Sequence, residues 1–214
     1  HSIYESVHKI MPGTLIEVPI NEGSIGDIKT TPYWDTHEAM VSSLGNSFSG
    51  SFEDAVIAGE SVLLSSVSAR MLSGVPVGAF LSGGIDSSLI AAMMQRSSVK
   101  KIKTFTMGFN EEGYDESQQA RSVAEHLKTE HTELIVTADL AMDVIPLLPT
   151  IYDEPFSDSS QIPTYLLSKM TANYVTVALS GDAGDELFGG YNRHVNTLKL
   201  WQRIKNIPLP IRTK

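Results

Sequence analysis

The sequence predicts an α/β fold: a parallel twisted sheet with flanking helices, preceded by short β segments. Three observations predict it. From residue 51 onward, apolar runs of strand length ("VPVGAFL", "KIKTFTMGF", "TELIV" and "YVTVALS") alternate with helix-patterned segments. Such alternation marks strands joined by right-handed helical crossovers into one parallel sheet. Two of the strand runs end in loops of small and acidic residues, "LSGGIDSS" and "LSGDAGDELFGGY", and open parallel sheets take their ligands at such strand ends. The first 35 residues instead carry turn signals between short β-rich runs.

Taken in order, "MPGTLIEVPI" places Pro12-Gly13 before a β-rich run, and "NEGSIGD" is a turn cluster. Residues 42–51, "SSLGNSFSGS", read as a linker or a loop. A boundary is expected within 31–51, dividing the chain into 1–35 and 36–214. "SFEDAVIAGESVLLSSVSARML" opens like a capping box, Ser51 with Asp54 three residues on. Its residues Phe52, Ala55, Val56, Val62, Leu63, Val67 and Met71 are expected inward at helical period. "VPVGAFL" is a buried strand, "IDSSLIAAMMQ" a helix and "KIKTFTMGF" the second strand. "DESQQARSVAEHLK" is a helix capped by Asp115, with Ala120, Val123, Ala124 and Leu127 inward. "TELIV" follows as a strand, then a helical stretch over 138–152 broken at Pro146 and Pro149. "IPTYLLSKMTA" is a helix with Pro163 near its first turn, and "YVTVALS" the last strand.

Composition narrows the function. The chain has 214 residues, 42% hydrophobic and 19% charged, the balance of a globular protein with a core. A net charge of -9 argues against a nucleic-acid surface, and the only basic region runs from Arg193 to Lys214. No cysteine is present, which removes disulfides and Cys-based chemistry and fits a reducing, cytoplasmic setting. No apolar run reaches the roughly 20 residues that span a bilayer. The start, "HSIYESVHKIMPG", has no initiating Met and no signal-peptide pattern, as expected of a fragment.

The first loop reads as an anion nest. A Gly-rich strand-to-helix turn gathers backbone N–H groups at a helix N-terminus, and Ser82, Ser87 and Ser88 add hydroxyls. Gly83 and Gly84 leave the backbone open to close approach. The visitor this suits is a phosphate. The loop is not a Walker A sequence, since no Lys or Arg occurs between Met71 and Gln95. Two or more phosphates there would need a metal, and Asp86 is placed to hold Mg²⁺. The structural alternative is a tight turn with Asp86 and Ser87 as caps. The second loop carries Asp182, Asp185 and Glu186 within five residues. These acids repel one another and favour a cation between them; the alternative is an exposed acidic turn. Together the two loops suit Mg-nucleotide chemistry.

"SGGIDSS" resembles the pyrophosphate-binding loop, S-G-G-x-D-S, of the ATP pyrophosphatase (PP-loop) superfamily, whose fold is adenine nucleotide alpha-hydrolase-like. "SGDAGDELFGGY" resembles the second signature of the asparagine synthetase branch. "VPVGAFLSGGIDSS", "YDESQQARSVAEHLKTEHTEL" and "DEPFSDSSQIPTYLLSK" look like the same family in the same order. Residues 1–35, with "VHKIMPGTLIEV" and "PYW", look like the end of the family's N-terminal glutaminase domain and its junction.

The resemblance implies an ATP-dependent carbon–nitrogen ligase. It would adenylate a carboxylate, in the type case the aspartate side chain, with release of pyrophosphate. Glutamine-derived ammonia would then displace AMP. By resemblance, Ser82, Gly83, Gly84, Asp86, Ser87 and Ser88 hold the β- and γ-phosphates, and Asp86 and Asp185 ligate Mg²⁺. Leu81 and the Met107 backbone contact adenosine, and Ser180 and Gly181 line the nucleotide and acyl-adenylate. Asp182, where relatives often have Glu, organises adenylation, Glu186 supports it, and Tyr191 stands near the reacting carboxyl. Partners would be small molecules (ATP, aspartate or a similar carboxylate, ammonia), with no nucleic acid or membrane and a homodimer in the whole protein. Two departures stand out: no Cys is available for the glutaminase nucleophile, and the family's catalytic lysine lies beyond Lys214. Alternatives are the same fold amidating or cyclising another substrate (a sugar acid, a peptide, a β-lactam precursor), or a non-catalytic nucleotide-binding module. His126 and His131, five apart, are expected to be surface or helix-end residues rather than a metal pair.

Overall fold

Turn residues and short β-rich runs shape the N-terminal region into two small antiparallel pairs. A computed structural model describes residues 2–21, 23–109, 117–155, 157–208 and 212. Strand β1 (Thr14–Glu17) pairs with β4 (Lys29–Pro32), Leu15 opposite Thr31, and they enclose β2 (Ile20–Asn21) paired with β3 (Ser24–Ile25). Helix α1 (Thr36–Gly45) follows, its N-terminus capped by Asp35, whose Oδ1 accepts from the Glu38 N–H at 2.9 Å. The linker or loop expected at 42–51 is therefore helical as far as Gly45. Its serines are tolerated in the last turn because Ser43 Oγ bonds back to the Ala39 carbonyl at 2.8 Å.

Helix α2 (Phe52–Met71) starts as its capping box predicts. The Asp54 N–H donates to Ser51 Oγ at 3.1 Å, and the Ser51 N–H donates to Asp54 Oδ2 at 3.0 Å. Of the residues expected inward, Phe52, Ala55, Val56 and Val62 are exposed. The stripe that packs is Leu63, Leu64, Val67 and Met71. Val62 falls off that stripe, and Phe52 and Val56 precede the part of α2 that meets the core. By its contacts the chain divides into two units, residues 1–59 with 149–156, and 60–148 with 157–214.

The second unit alternates strand and helix: β5 (Val77–Phe80), α3 (Ile85–Arg96), β6 (Lys103–Phe109), α4 (Ser117–Leu127) and β7 (Glu130–Val136). Then come α5 (Ala138–Val144), a 3₁₀ turn (Ile145–Leu147) and α6 (Leu148–Ile151), broken where Pro146 and Pro149 fall. Helix α7 (Gln161–Thr171), β8 (Val177–Leu179), α8 (Gly184–Phe188) and α9 (Asn192–Ile204) complete it. The expected cap Asp115 lies outside the described residues.

All four strands β5–β8 are parallel, in the order β7-β6-β5-β8. The sheet grows outward from β5 through β6 to β7, then the chain returns and lays β8 on the other side of β5. Right-handed crossovers thus place α3 and α4 on one face and α5 and α7 on the other. The boundary between β5 and β8 is the topological switch point, where the crevice outside the strand ends takes ligands.

The core lies between β5 and the helices α2, α3 and α4. Ala79, Leu81, Ala91, Met94, Ala120 and Ala124 are each 2% exposed or less. Burying side chains the size of Leu81 and Met94 is worth roughly 1.5–3 kcal/mol each. The expected inward face of α4 packs as drawn, with Val123 and Leu127 against the same cluster. Phe105 of β6 is fully buried, its ring tilted on Tyr174 at 5.6 Å. Buried Thr104 keeps its hydroxyl bonded to Thr129 Oγ1 at 2.7 Å and to His131 Nδ1 at 2.9 Å.

Candidate active site

The chain leaves β5 at Leu81 and turns at Gly83 before α3 begins. Gly83 has φ +82, a left-handed conformation that side chains disfavour. The hydroxyls of the loop brace it. The Ser82 N–H donates to Ser87 Oγ at 3.2 Å, Ser82 Oγ and Ser87 Oγ are 2.9 Å apart, and the Gly84 N–H donates to Ser82 Oγ at 3.2 Å. Gly84 is the N-cap of α3 and supplies no side-chain cap. The first-turn N–H groups of Ile85, Asp86 and Ser87 have no acceptor within a helix and carry its partial positive charge. The serines hold the loop in shape, and the backbone supplies the anion donors.

The second loop folds onto the first. Gly181 comes so close that a Cβ there would stand 2.6 Å from the Ser87 nitrogen and 2.8 Å from the Asp86 carbonyl carbon. A Cβ on Gly184 would lie 2.7 Å from Asp86 Oδ2. The Asp86 carboxylate therefore packs on the backbone immediately before Asp185, whose own carboxylate packs on Gly190. Ser180 Oγ donates to Asp182 Oδ2 at 2.9 Å. Ala183 sits at φ +73, a conformation that costs a non-glycine residue about 1–2 kcal/mol and collects at functional sites.

Beyond α8, Gly189 at φ +70 ends the helix and Tyr191 starts α9. The Tyr191 hydroxyl donates to Glu186 Oε1 at 2.7 Å. That bond holds the Glu186 carboxyl below its usual range, helped by Arg193 and His194, and pushes the Tyr191 phenol up. The Arg193 guanidinium lies 4.0 Å from the Tyr191 ring centroid, a cation–π contact, and His194 meets the same ring edge-on.

The structure thus brings Ser82, Gly83, Gly84, Asp86 and Ser87 together with Ser180, Gly181, Asp182 and Asp185, with Glu186 and Tyr191 paired alongside. Two expected residues turn inward from the loop surface. Leu81 is 1% exposed, its N–H donates to the Phe105 carbonyl at 2.8 Å, and its side chain belongs to the core. Ser88 Oγ is buried without a hydrogen-bond partner, so its hydroxyl is not offered at the surface of the loop. Met107 is half-buried on β6, next to β5, opposite Leu134.

Among the described residues no three His, Asp or Glu side chains converge as a metal cage. Two acids on interlocked loops fit Mg²⁺ nonetheless, because that ion commonly takes one or two carboxylates and completes its shell with phosphate oxygens and water.

The asparagine synthase family model matches residues 58–214. This chain belongs to the asparagine synthase family. A Methanocaldococcus jannaschii relative is 44% identical over 143 residues, covering 66% of this chain and 28% of its own. Asparagine synthetase [glutamine-hydrolyzing] 1 of Bacillus subtilis is 34% identical over 200 residues, covering 92% of this chain and 30% of its own. The chain therefore spans under a third of the length of the curated relatives it matches.

Within this asparagine synthase family chain, sequence reasoning overlooked three contributors. Gly184 and Gly190 lie inside the quoted motif, but only the packing of Asp86 and Asp185 reveals why each must lack a Cβ. Arg193 was legible only as part of a basic tail; its place over Tyr191 comes from the turn between α8 and α9.

Proposed function

We propose that this chain carries the nucleotide-activating site of an ATP-dependent amide-forming ligase. The site adenylates a carboxylate, the aspartate side chain, releasing pyrophosphate. Glutamine-derived ammonia then displaces AMP to give asparagine. The observation that carries this reading is the interlock of the two loops at the sheet switch point, with Gly181 seated on the Ser87 nitrogen and Gly184 on the Asp86 carboxylate.

In this reading the N–H groups of the α3 first turn receive the phosphates that leave, where charge develops. Ser82 and Ser87 keep those donors aimed before the substrate arrives. Asp86 and Asp185 would hold Mg²⁺, which would supply charge neutralisation for the phosphates. Asp182, fixed by Ser180, and the Glu186–Tyr191 pair border the space for the carboxylate. Holding that carboxylate in line with the α-phosphorus supplies the entropic part of the acceleration. No protein nucleophile is required. The substrates are small molecules met in the cytoplasm.

Calorimetric titration of the chain with ATP, with and without Mg²⁺, tests the reading. Saturable, Mg-dependent binding that disappears in Asp86→Ala is expected. Binding indifferent to both the ion and the substitution would overturn it.

A further inference from the structure

Glu133 of β7 lies outside the two loops, yet its carboxylate grips the first turns of α4. Arg121 Nη2 donates to Glu133 Oε1 at 3.1 Å and to Oε2 at 2.8 Å. The Ser117 hydroxyl donates to the same carboxylate. Ser117 is the first residue of α4 and only 2% exposed. Hydrogen bonds to an ionised acceptor are the strong ones, and the Arg121 guanidinium holds the Glu133 carboxyl below its ordinary range.

That same turn is the surface on which the first loop is seated. A Cβ on Gly83 would stand 2.6 Å from the Ala120 nitrogen and 2.7 Å from the Gln119 carbonyl carbon. Gly83 and the α4 turn are in backbone-to-backbone contact, so a shift of the turn is a shift of the loop. Close-packed contacts of this kind transmit displacement rather than absorb it.

We propose that Glu133 is a positioning residue for the phosphate loop. Through Ser117 and Arg121 it fixes the α4 turn against which Gly83 rests, and so sets where the N–H groups of Ile85, Asp86 and Ser87 point. The mechanical link stands on the geometry alone; its consequence for ATP rests on the function proposed above.

The test uses the 214-residue chain, with Glu133→Ala and with Glu133→Gln, which keeps an acceptor for Ser117. Hydrogen exchange of the peptide covering residues 82–88 is read first, and Mg-ATP affinity second. In Glu133→Ala, exchange at 82–88 should quicken about tenfold or more, as expected when a local contact is released without global opening. Glu133→Gln should fall between it and the parent, and ATP affinity should follow the same order. A merely structural role would raise exchange evenly over β5, β6 and β7, and that pattern, or unchanged exchange at 82–88, overturns the proposal. If Glu133→Ala does not fold, Glu133→Gln against the parent carries the same comparison. A parent chain that binds no ATP defeats the proposed function, while the exchange data still decide this inference. A parent that binds ATP and variants that bind equally well defeat this inference alone.

Discussion

Gly181 decides whether the two loops can meet. With its missing Cβ, the second loop lies directly on the Ser87 nitrogen and the Asp86 backbone. In Gly181→Ala the added carbon meets backbone on the first loop, not a flexible side chain that could swing aside. The loops must separate. We expect Gly181→Ala to keep the thermal midpoint near that of the parent while ATP affinity drops at least tenfold, about 1.4 kcal/mol. Calorimetry beside a melting curve checks both, and an unchanged affinity would mean the interlock is not needed. The acids Asp86 and Asp185 and the small residues around them were legible in the sequence, because the proposed phosphate loop would restrict residue types locally. The burial of Leu81 and of the Ser88 hydroxyl was not. Whether a residue of the loop faces ligand or core depends on where the strand ends, here with Leu81 donating to Phe105 and closing the core.

At the scale of elements, α8 and α9 are joined by one short bond, from the Tyr191 hydroxyl to Glu186. Glu186 is depressed below its ordinary 4.5, so its contribution is present above that value and is lost as pH falls through the lowered one. Tyr191 is raised above its ordinary 10.0, so its contribution is present below that value and is lost as pH rises through the raised one. The junction is therefore intact from weakly acidic to weakly alkaline pH. Ultraviolet titration of the phenols should show one tyrosine ionising later than the others, and Glu186→Gln should bring it back toward them. An unaltered titration curve would show that the pair does not form. Most elements themselves could be read from the sequence, because capping boxes, prolines and apolar periods are local signals. The exceptions are residues 42–45, where Ser and Gly suggested a loop, and α8, which lies inside a stretch read only as a strand-end loop. The Asp35 cap starts the helix that runs through 42–45, and Ser43 sustains it by bonding back to the preceding turn.

Across the whole second unit, the half-buried ring of His131 is expected to couple folding to pH. His131, expected at the surface or a helix end, lies instead within β7, clasped at Nδ1 by Thr104, while its Nε2 is buried without a partner. Burial lowers its pKa, with Glu133 opposing and Arg121 adding to the effect. The unfolded chain accepts a proton near pH 6.5 that the folded chain refuses, so stability is complete above that pH and declines below it. The thermal midpoint should fall between pH 6.5 and 5, and His131→Gln should flatten part of that fall. An identical slope in the variant would remove His131 as its source. The parallel α/β class could be recognised from alternation alone. The strand order could not, since nothing local tells β8 to pair with β5 rather than with β7. The meeting of the two loops depends on that choice.

The same pairing makes assembly of the site a late event. Val77 of β5 lies opposite Val177 of β8, so the loop between partners spans about 100 residues, and its closure costs entropy that nearby contacts do not have to meet. Strands β5, β6 and β7 can zip up with their successive neighbours, while β8 must wait for the chain to return. Long-range parallel pairings are the slow ones. In a refolding experiment, tryptophan-independent reporters of the early sheet, such as far-ultraviolet ellipticity, should recover before the capacity to bind a fluorescent ATP analogue does. If the two recover together, β8 docks in the same step as the rest. If binding lags, a newly made chain forms its sheet first and gains the capacity to bind the analogue last, and a chain lacking β8 would be folded in part yet unable to bind it.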